Sequence, residues 1–122
     1  MSSTGEVEAW FGALGAHPLE PVMRRVCEII LGADERMSAQ IQYGTLQFVY
    51  KSGFCALVQV KDKKKVSLMF NAAGRLVGNF PHLEGRSVKY MYFANLAEAN
   101  ERAEELTAIV AAWTAYKDGA KA

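Results

Sequence analysis

The centre of the chain carries the run FCALVQVKDKKKVSLMF, residues 54–70, in which two apolar segments flank a charged one. Residues 54–60 and 66–70 each place apolar side chains at every second position, which is typical of a β-strand with one covered face. The charged residues 61–65 are enough for a hairpin connection, so the two strands are expected to pair in antiparallel fashion. This run therefore predicts the central hairpin of an antiparallel sheet.

The same alternation recurs on both sides of the central hairpin. It appears at 48–50, before a short loop at 51–53, and again at 88–92, so the sequence predicts four successive strands. One parity is expected to face the core: Phe48, Tyr50, Phe54, Ala56, Val58, Val60, Val66, Leu68, Phe70, Val88, Tyr90 and Tyr92. The opposite parity also holds apolar side chains, namely Cys55, Leu57, Met69, Met91 and Phe93. This second face is either covered by residues 71–87 and the first helix, or it is a surface for a homodimer, a partner protein or a ligand.

Helices are predicted before and after the strands. A first helix ends at Gly15, a second runs from Pro18 to Gly32, and Asn95 caps a C-terminal helix. The apolar stripe of the C-terminal helix is Ala99, Ala103, Leu106, Ile109, Val110 and Trp113. Helices that flank a meander in sequence are expected to pack on one face of it. The predicted fold is therefore α+β, with an antiparallel sheet of about four to six strands and the helices on one face, as a single domain over 1–122.

The composition bounds the class of protein. The chain has 122 residues, of which 51% are hydrophobic and 22% charged, as is typical of one folded domain. Its net charge is only +1, whereas nucleic-acid-binding domains are usually basic, so nucleic acid is an unlikely partner. No apolar run approaches the roughly 20 residues of a membrane helix, and the N-terminus does not resemble a signal peptide. We therefore expect a cytoplasmic protein with no membrane partner, in which Cys27 and Cys55 are reduced and pack as small apolar side chains.

The sequence motifs of common enzyme classes do not occur in the chain. GxGxxG, GxxxxGK[ST], HExxH, GxSxG and CxxC are all missing. His17 lies at a helix start, where capping or exposure explains it, and His82 lies in a loop with no nucleophile at a recognisable offset. We therefore predict a non-enzymatic binding protein. The alternative is an enzyme whose pocket gathers Tyr43, Lys65 and Ser67.

Two clusters of charge have both a structural and a functional interpretation. Residues 61–65 hold four lysines and one aspartate, which we interpret as a solvated hairpin tip rather than a phosphate site. The aromatic residues of the strands are expected to be mostly core, so they do not predict a stacking surface for single-stranded nucleic acid. Glu98, Glu101 and Glu105 lie on one helical face. They are either a solvated face or ligands for a hard cation such as Fe²⁺.

Several runs, taken together, resemble the YdhG-like family of small bacterial domains of unknown function. They are residues 41–44, 48–50, 64–70, 73–76, 83–85 and 88–93, within a match that extends from about Pro18 to Trp113. The resemblance implies a frataxin-like α+β layout and a link to intracellular iron handling and iron–sulfur cluster supply, with iron as the possible cofactor. It also marks Tyr43, Lys65 and Lys89 as polar positions for a ligand. An iron chaperone is therefore one alternative function, and a homodimeric or partner-binding module is another.

Overall fold

The computed structural model describes residues 4–70, 80–85 and 88–119. Six strands and four helices lie within these residues, so the α+β prediction is confirmed. In chain order they are α1 (Thr4–Ala13), α2 (Glu20–Ala33), β1 (Ser38–Gln42), β2 (Thr45–Tyr50), β3 (Ser52–Val58), β4 (Val66–Phe70), β5 (Glu84–Gly85), β6 (Lys89–Phe93), α3 (Leu96–Glu101) and α4 (Ala103–Lys117). None of these described helices is long and apolar enough to cross a membrane. The cover predicted from residues 71–87 falls mostly outside the described residues.

The described strands form one antiparallel sheet with the order β1-β2-β3-β4-β6-β5. The predicted central hairpin is confirmed, because β3 and β4 are paired neighbours with Leu57 opposite Leu68. Two strands were not predicted. β1 alternates glutamine with small or apolar residues, and β5 has only two residues, so neither contains the β-branched or aromatic run by which a strand is usually recognised.

The predicted core parity is correct for β4 and wrong for most of β3 and for β6. Phe48 lies opposite Cys55, and Leu68 lies opposite both Leu57 and Met91. Directly paired residues share a face of the sheet, so all five side chains lie on the same side. All five are fully buried in the hydrophobic core. The parity was ambiguous in the sequence because both parities of β3 and β6 are largely apolar.

A β-bulge sets the parity of β3. The register between β2 and β3 shifts between Phe48 and Val49, and Phe54 is the additional residue on β3. The buried ring of Phe54 stacks on Trp113 of α4, with ring centroids 4.9 Å apart. Phe54 and its neighbour Cys55 therefore both face the core. After the bulge the core-facing residues are Cys55 and Leu57, whereas alternation counted from Phe54 predicted Ala56 and Val58.

The predicted second apolar face does not exist as one surface. That prediction grouped Cys55, Leu57, Met69, Met91 and Phe93. Four of the five are fully buried in the core, and Met69 has the opposite parity. Tyr90 and Tyr92 share the side of Met69 instead of facing the core. A phenol keeps its hydroxyl near water, whereas methionine and phenylalanine lose nothing by complete burial.

Helix α2 buries one face between the sheet and α4. It begins at Glu20, slightly later than predicted, with Pro21 in the first turn where a missing N–H breaks no helical hydrogen bond. It continues through Gly32, which was predicted to end it. Its buried residues follow helical spacing: Val22, Met23, Val26, Cys27, Ile29 and Ile30. Each large apolar side chain buried in this way contributes roughly 1.5–3 kcal/mol relative to exposure.

The predicted cap of the C-terminal helix is confirmed, but the helix is divided in two. Asn95 Oδ1 accepts a hydrogen bond from the backbone N–H of Glu98 at 2.9 Å. Glu98 in turn accepts from the N–H of Ala94 at 2.7 Å, so the two side chains satisfy two backbone donors at the helix start. Arg102 then lies in a turn that separates α3 from α4.

His17 forms hydrogen bonds that link the connection between α1 and α2 to the residues just after β3. Its Nδ1 accepts a hydrogen bond from the N–H of Leu19 at 3.0 Å. The predicted capping role is wrong, because Leu19 is itself the N-cap of α2 and no side chain caps this helix start. Its Nε2 lies 2.6 Å from the carbonyl oxygen of Val60. Because Nδ1 accepts, the ring proton is on Nε2 and is donated to that carbonyl. The ring is buried, so the alternative of simple exposure is wrong.

Cys27 of α2 and Cys55 of β3 are buried free thiols, as predicted. Burial raises the pKa of Cys27 to about 12, and it raises the pKa of Cys55 well above its ordinary value. A thiol whose pKa is raised in this way is protonated at neutral pH and is a poor nucleophile. Both cysteines therefore act in this fold as small apolar side chains.

Candidate functional site

A groove of about 550 Å³ lies between α1, α2 and the start of β1. Ligand clefts usually measure roughly 300–1,000 Å³, so its size suits a small molecule. Its apolar lining is Val7, Phe11, Cys27, Leu31, Met37 and Ala39. Its charged lining is Glu8, Arg24, Glu28, Glu35 and Arg36. The apolar residues are mostly buried and form the floor, whereas the acidic residues are exposed and form the rim.

The first helix forms one wall of the groove because it is anchored at two places. Trp10 donates a hydrogen bond from Nε1 to the carbonyl oxygen of Gly44 at 3.0 Å, in the turn between β1 and β2. Phe11, the next residue, is buried and packs edge-to-face on Trp10. α1 also packs along β1. The wall is therefore held by side chains on both sides of α1.

The positive charge of Arg24 is neutralised within the groove wall. Its guanidinium donates two hydrogen bonds to Glu8, at 2.9 and 3.1 Å, and a third to Glu20 at 2.8 Å. It also lies 4.3 Å from the ring centroid of Phe11. The hydrogen bonds from Arg24 lower the pKa of Glu8, so this carboxylate is ionised and paired at neutral pH.

Arg36 is likewise saturated by acidic partners. It contacts Asp34 at 2.9 Å and Asp118 at 3.0 Å, and it donates to the hydroxyl of Tyr50 at 2.9 Å. Its hydrogen bonds lower the pKa of Asp34 to about 2. The hydroxyl of Tyr50 donates to Asp118, which lowers the pKa of Asp118 and raises that of Tyr50. Five groups thus form one network at the edge of the groove, including Lys51, whose Nζ lies 3.5 Å from Asp118.

Glu35 gives the rim a net negative charge. Glu28 is paired with Arg25 at 3.2 Å, whereas Glu35 takes part in no ion pair among the residues that the structure describes. Both groove arginines already have carboxylate partners. A ligand that approaches the groove therefore meets an apolar floor beside an uncompensated carboxylate.

Three groups in and around the groove, Glu8, Cys27 and Asp34, do not change protonation near neutral pH. A general acid or base works best when its pKa lies near the operating pH. The resolved shifts in and around this groove all move away from neutrality, downward for Glu8 and Asp34 and upward for Cys27. These groups hold fixed protonation states at neutral pH and serve to shape and charge the groove.

The predicted ligand residues do not line the groove. Tyr43 is 92% exposed in the tight turn between β1 and β2, where Tyr43 and Gly44 both have positive φ. Lys65 and Ser67 lie close together, because Lys65 extends its Nζ to within 4.4 Å of the Tyr92 ring centroid and Ser67 is paired with Tyr92. Lys89 begins β6 opposite Phe70, at the other end of that ladder and on the other face. The structure therefore brings together Lys65 and Ser67 but not the other two predicted residues.

Two of the three predicted metal ligands already have other partners. Glu98 caps α3, and Glu105 accepts a hydrogen bond from the N–H of His82 at 2.8 Å while its other oxygen lies 2.7 Å from Nδ1 of the same histidine. Glu101 is exposed at the end of α3. Within 4–70, 80–85 and 88–119, no group of three or more His, Cys, Asp or Glu residues converges on a metal position. Iron binding by these carboxylates stays a prediction.

The groove itself was missed in the sequence. Its walls come from α1, α2 and β1, and β1 was not predicted. One signal was present in the sequence, since the apolar Leu31 lies one turn after Cys27, at the edge of the apolar stripe of α2. In the structure it is 36% exposed. No family model, curated protein or solved structure matches the chain. The function of the chain is therefore inferred from the chemistry of its own residues.

Proposed function

We propose that this chain is a non-enzymatic binding domain and that the groove between α1, α2 and β1 is its ligand site. The observation that carries the proposal is the combination of an apolar floor with the carboxylate of Glu35, which has no ion-pair partner in the part of the chain that the structure describes. Electrostatic complementarity selects the sign of a ligand's charge, and the apolar floor provides the affinity. The ligand class is a small molecule with an apolar body and one cationic group.

The test is an NMR chemical-shift titration of the full chain with hexylamine, hexanol and hexanoate. These probes share an apolar body and differ in charge, so their order of affinity reports the sign of the charge in the groove. We expect hexylamine to bind most tightly and hexanoate least, with the largest shifts at groove residues. Absence of saturable shifts for all three probes, or tighter binding of hexanoate than of hexylamine, would contradict the proposal.

Two substitutions separate the apolar and the electrostatic contributions. Leu31→Ala removes exposed apolar surface and should weaken hexylamine binding roughly threefold to tenfold. Glu35→Gln removes the carboxylate charge and should weaken hexylamine binding about twofold to fivefold, while the affinity for hexanol stays unchanged. The matched controls are Leu96→Ala and Glu104→Gln, which change exposed residues of α3 and α4 outside the groove lining. Equal effects in the controls would show that the groove is not the site.

The family and location are part of this proposal. The order of the runs between Pro18 and Trp113, together with the antiparallel α+β sheet, supports membership of the YdhG-like family, and the family resemblance supports a cytoplasmic binding protein. Fractionation of cells that produce the untagged chain tests the location. Recovery with the membrane or secreted fraction would overturn it.

A homodimer and an iron chaperone remain proposals from the sequence. The homodimer cannot use Leu57, Met91 and Phe93, because these residues are buried in the core. Light scattering at high protein concentration tests whether two copies associate through another surface. Anaerobic titration with Fe²⁺ tests the chaperone, and saturable binding that is lost when Glu98, Glu101 and Glu105 are all changed to glutamine would support it.

A further inference from the structure

The face of the sheet opposite the hydrophobic core carries a pair of parallel aromatic rings. This outer face is defined by Val58, Ser67, Met69, Tyr90 and Tyr92, which are linked by cross-strand pairing of β3, β4 and β6. Tyr90 and Tyr92 are half-buried, and their rings are parallel within 3° with centroids 6.0 Å apart. Flat aromatic side chains on a sheet are the element on which planar bases stack in proteins that bind single strands.

Uncompensated positive charge lies at one end of the outer face. Lys65 places its Nζ 4.4 Å from the ring centroid of Tyr92, and the other lysines of the 61–65 hairpin are exposed. The carboxylate of Asp62 accepts a hydrogen bond from the N–H of Lys64 at 2.7 Å, and thus caps the turn. None of the ion pairs in the described part of the chain includes a lysine of this hairpin. Their charges are therefore available to an anionic partner.

Ser67 adds an unexplained polar group that is buried just beneath this surface. Its side chain is 1% exposed, and its Oγ has no hydrogen-bond partner among the described residues. A buried hydroxyl without a partner normally costs stability, so such groups call for an explanation. Ser67 pairs with Tyr92 across the ladder. Unused hydrogen-bonding capacity thus lies beside the aromatic pair and the lysines.

We infer that the outer face binds single-stranded nucleic acid, with bases stacked on Tyr90 and Tyr92 and phosphates contacted by the lysines of residues 61–65. The sequence predicted the opposite because it placed both tyrosines in the core. The near-neutral net charge does not oppose the inference, since the lysines are concentrated at one end of the face. Glu84 lies opposite Tyr90 at the other end, so the phosphate backbone runs from the tyrosines towards the hairpin. This inference is independent of the groove.

Single strands fit this surface better than duplexes. Stacking on Tyr90 and Tyr92 requires bases that are not already stacked in a helix, and it is tolerant of sequence because every base has a flat face. Phosphate contacts by lysine make the binding constant fall as the salt concentration rises. For a single strand, each contact contributes about 0.7 to the slope of log K against log salt concentration. The expected binding is therefore weakly sequence-dependent and strongly salt-dependent.

The experiment measures fluorescence anisotropy of fluorescein-labelled single strands of about ten nucleotides, a length suited to one small domain. RNA and DNA strands of the same mixed sequence are titrated separately with the full chain at low salt. A duplex of the DNA strand and inorganic polyphosphate serve as unlabelled competitors. We expect saturable binding of RNA, DNA or both, with the single strand competing better than the duplex or polyphosphate.

Variants assign the binding to the outer face. Tyr90→Ala and Tyr92→Ala should each weaken binding at least about fivefold, whereas Tyr116→Ala, on α4, should not. Replacing Lys63 and Lys64 together by alanine should weaken binding and reduce the salt slope by about 1.4. The control Lys51→Ala changes a lysine outside this hairpin. The paired lysine variant keeps the test valid if a tyrosine variant misfolds, because both lysines are exposed.

Three outcomes would overturn the inference. The first is no saturable anisotropy change with either strand. The second is competition by polyphosphate or duplex as strong as by the single strand, which would show attraction to charge without stacking. The third is unchanged binding by the tyrosine and the lysine variants. Preference for RNA over DNA, or the reverse, supports the inference and identifies the type of strand.

Discussion

The two faces of the sheet are built by the same strands and yet differ in chemistry. Two adjacent rows of cross-strand partners across β3, β4 and β6 show this: Leu57–Leu68–Met91 and Val58–Ser67–Tyr92. The first row is fully buried and entirely apolar, whereas the second contains a half-buried phenol and a hydroxyl that has no hydrogen-bond partner among the described residues. Moving one residue along a strand reverses the face. One face of this sheet therefore provides stability, while the other retains groups that the described part of the fold does not use.

The largest expected effect is on the core row. Leu68→Ala leaves a cavity in a fully buried site and should lower the free energy of unfolding by roughly 2–5 kcal/mol. Its neighbour Met69, on the outer face and only partly buried, is the matched position, and Met69→Ala should cost clearly less. Urea denaturation with a common m-value measures both. Equal losses would mean that the two faces contribute equally to stability.

A smaller effect, of opposite sign, is expected on the outer row. Ser67→Ala removes a buried hydroxyl without a described partner and should raise the free energy of unfolding by about 1 kcal/mol. The control is Thr114→Val, because the hydroxyl of Thr114 is buried and donates to the carbonyl of Ala111 at 3.1 Å. That variant should be neutral or destabilised in the same denaturation experiment. A loss of stability in Ser67→Ala would show that this hydroxyl has a structural partner.

The contact of Lys65 with Tyr92 should contribute less again. Lys65→Met keeps the length of the side chain and removes its charge, so it should cost about 0.5 kcal/mol, as expected for an exposed cation–π contact. Lys61→Met provides the control from the same hairpin. Both are measured by thermal unfolding at low salt. A cost well above 1 kcal/mol would indicate that the lysine is needed for the fold of the outer face rather than for a partner.

The smallest effect concerns the charged network of Arg36, Asp34 and Asp118 at the edge of the groove. Arg36 lowers the pKa of Asp34 from 3.8 to about 2, so the folded state favours the ionised carboxylate. This contribution is present above pH 4 and is lost as the pH falls through about 2, because the unfolded state binds its proton near pH 4 whereas the folded state resists protonation until about pH 2. Thermal unfolding of the wild type and Arg36→Gln should therefore differ near neutral pH and converge near pH 2. A constant difference across this range would contradict the role of the network.

Much of the fold could be predicted because it depends on local pattern. The hairpin within residues 54–70 follows from its alternation and charged centre, and the helix start at Asn95 follows from a capping geometry that spans three residues. The site was less predictable. Lys65 and Ser67 are two residues apart on one strand and do lie together, but Tyr43 and Lys89 are separated from them by the order and register of strands.

The sequence by itself determined the helical ends of the chain, the four strands β2, β3, β4 and β6 and the α+β class, because periodicity and caps act over a few residues. It did not determine β1 and β5, which lack a recognisable strand pattern. Only the tertiary structure decided which face of β3 and β6 is buried. Both parities of these strands are apolar, so the choice depended on the bulge at Phe54 and on pairing with β4. The groove was also decided there, since it exists only where α1, α2 and β1 meet.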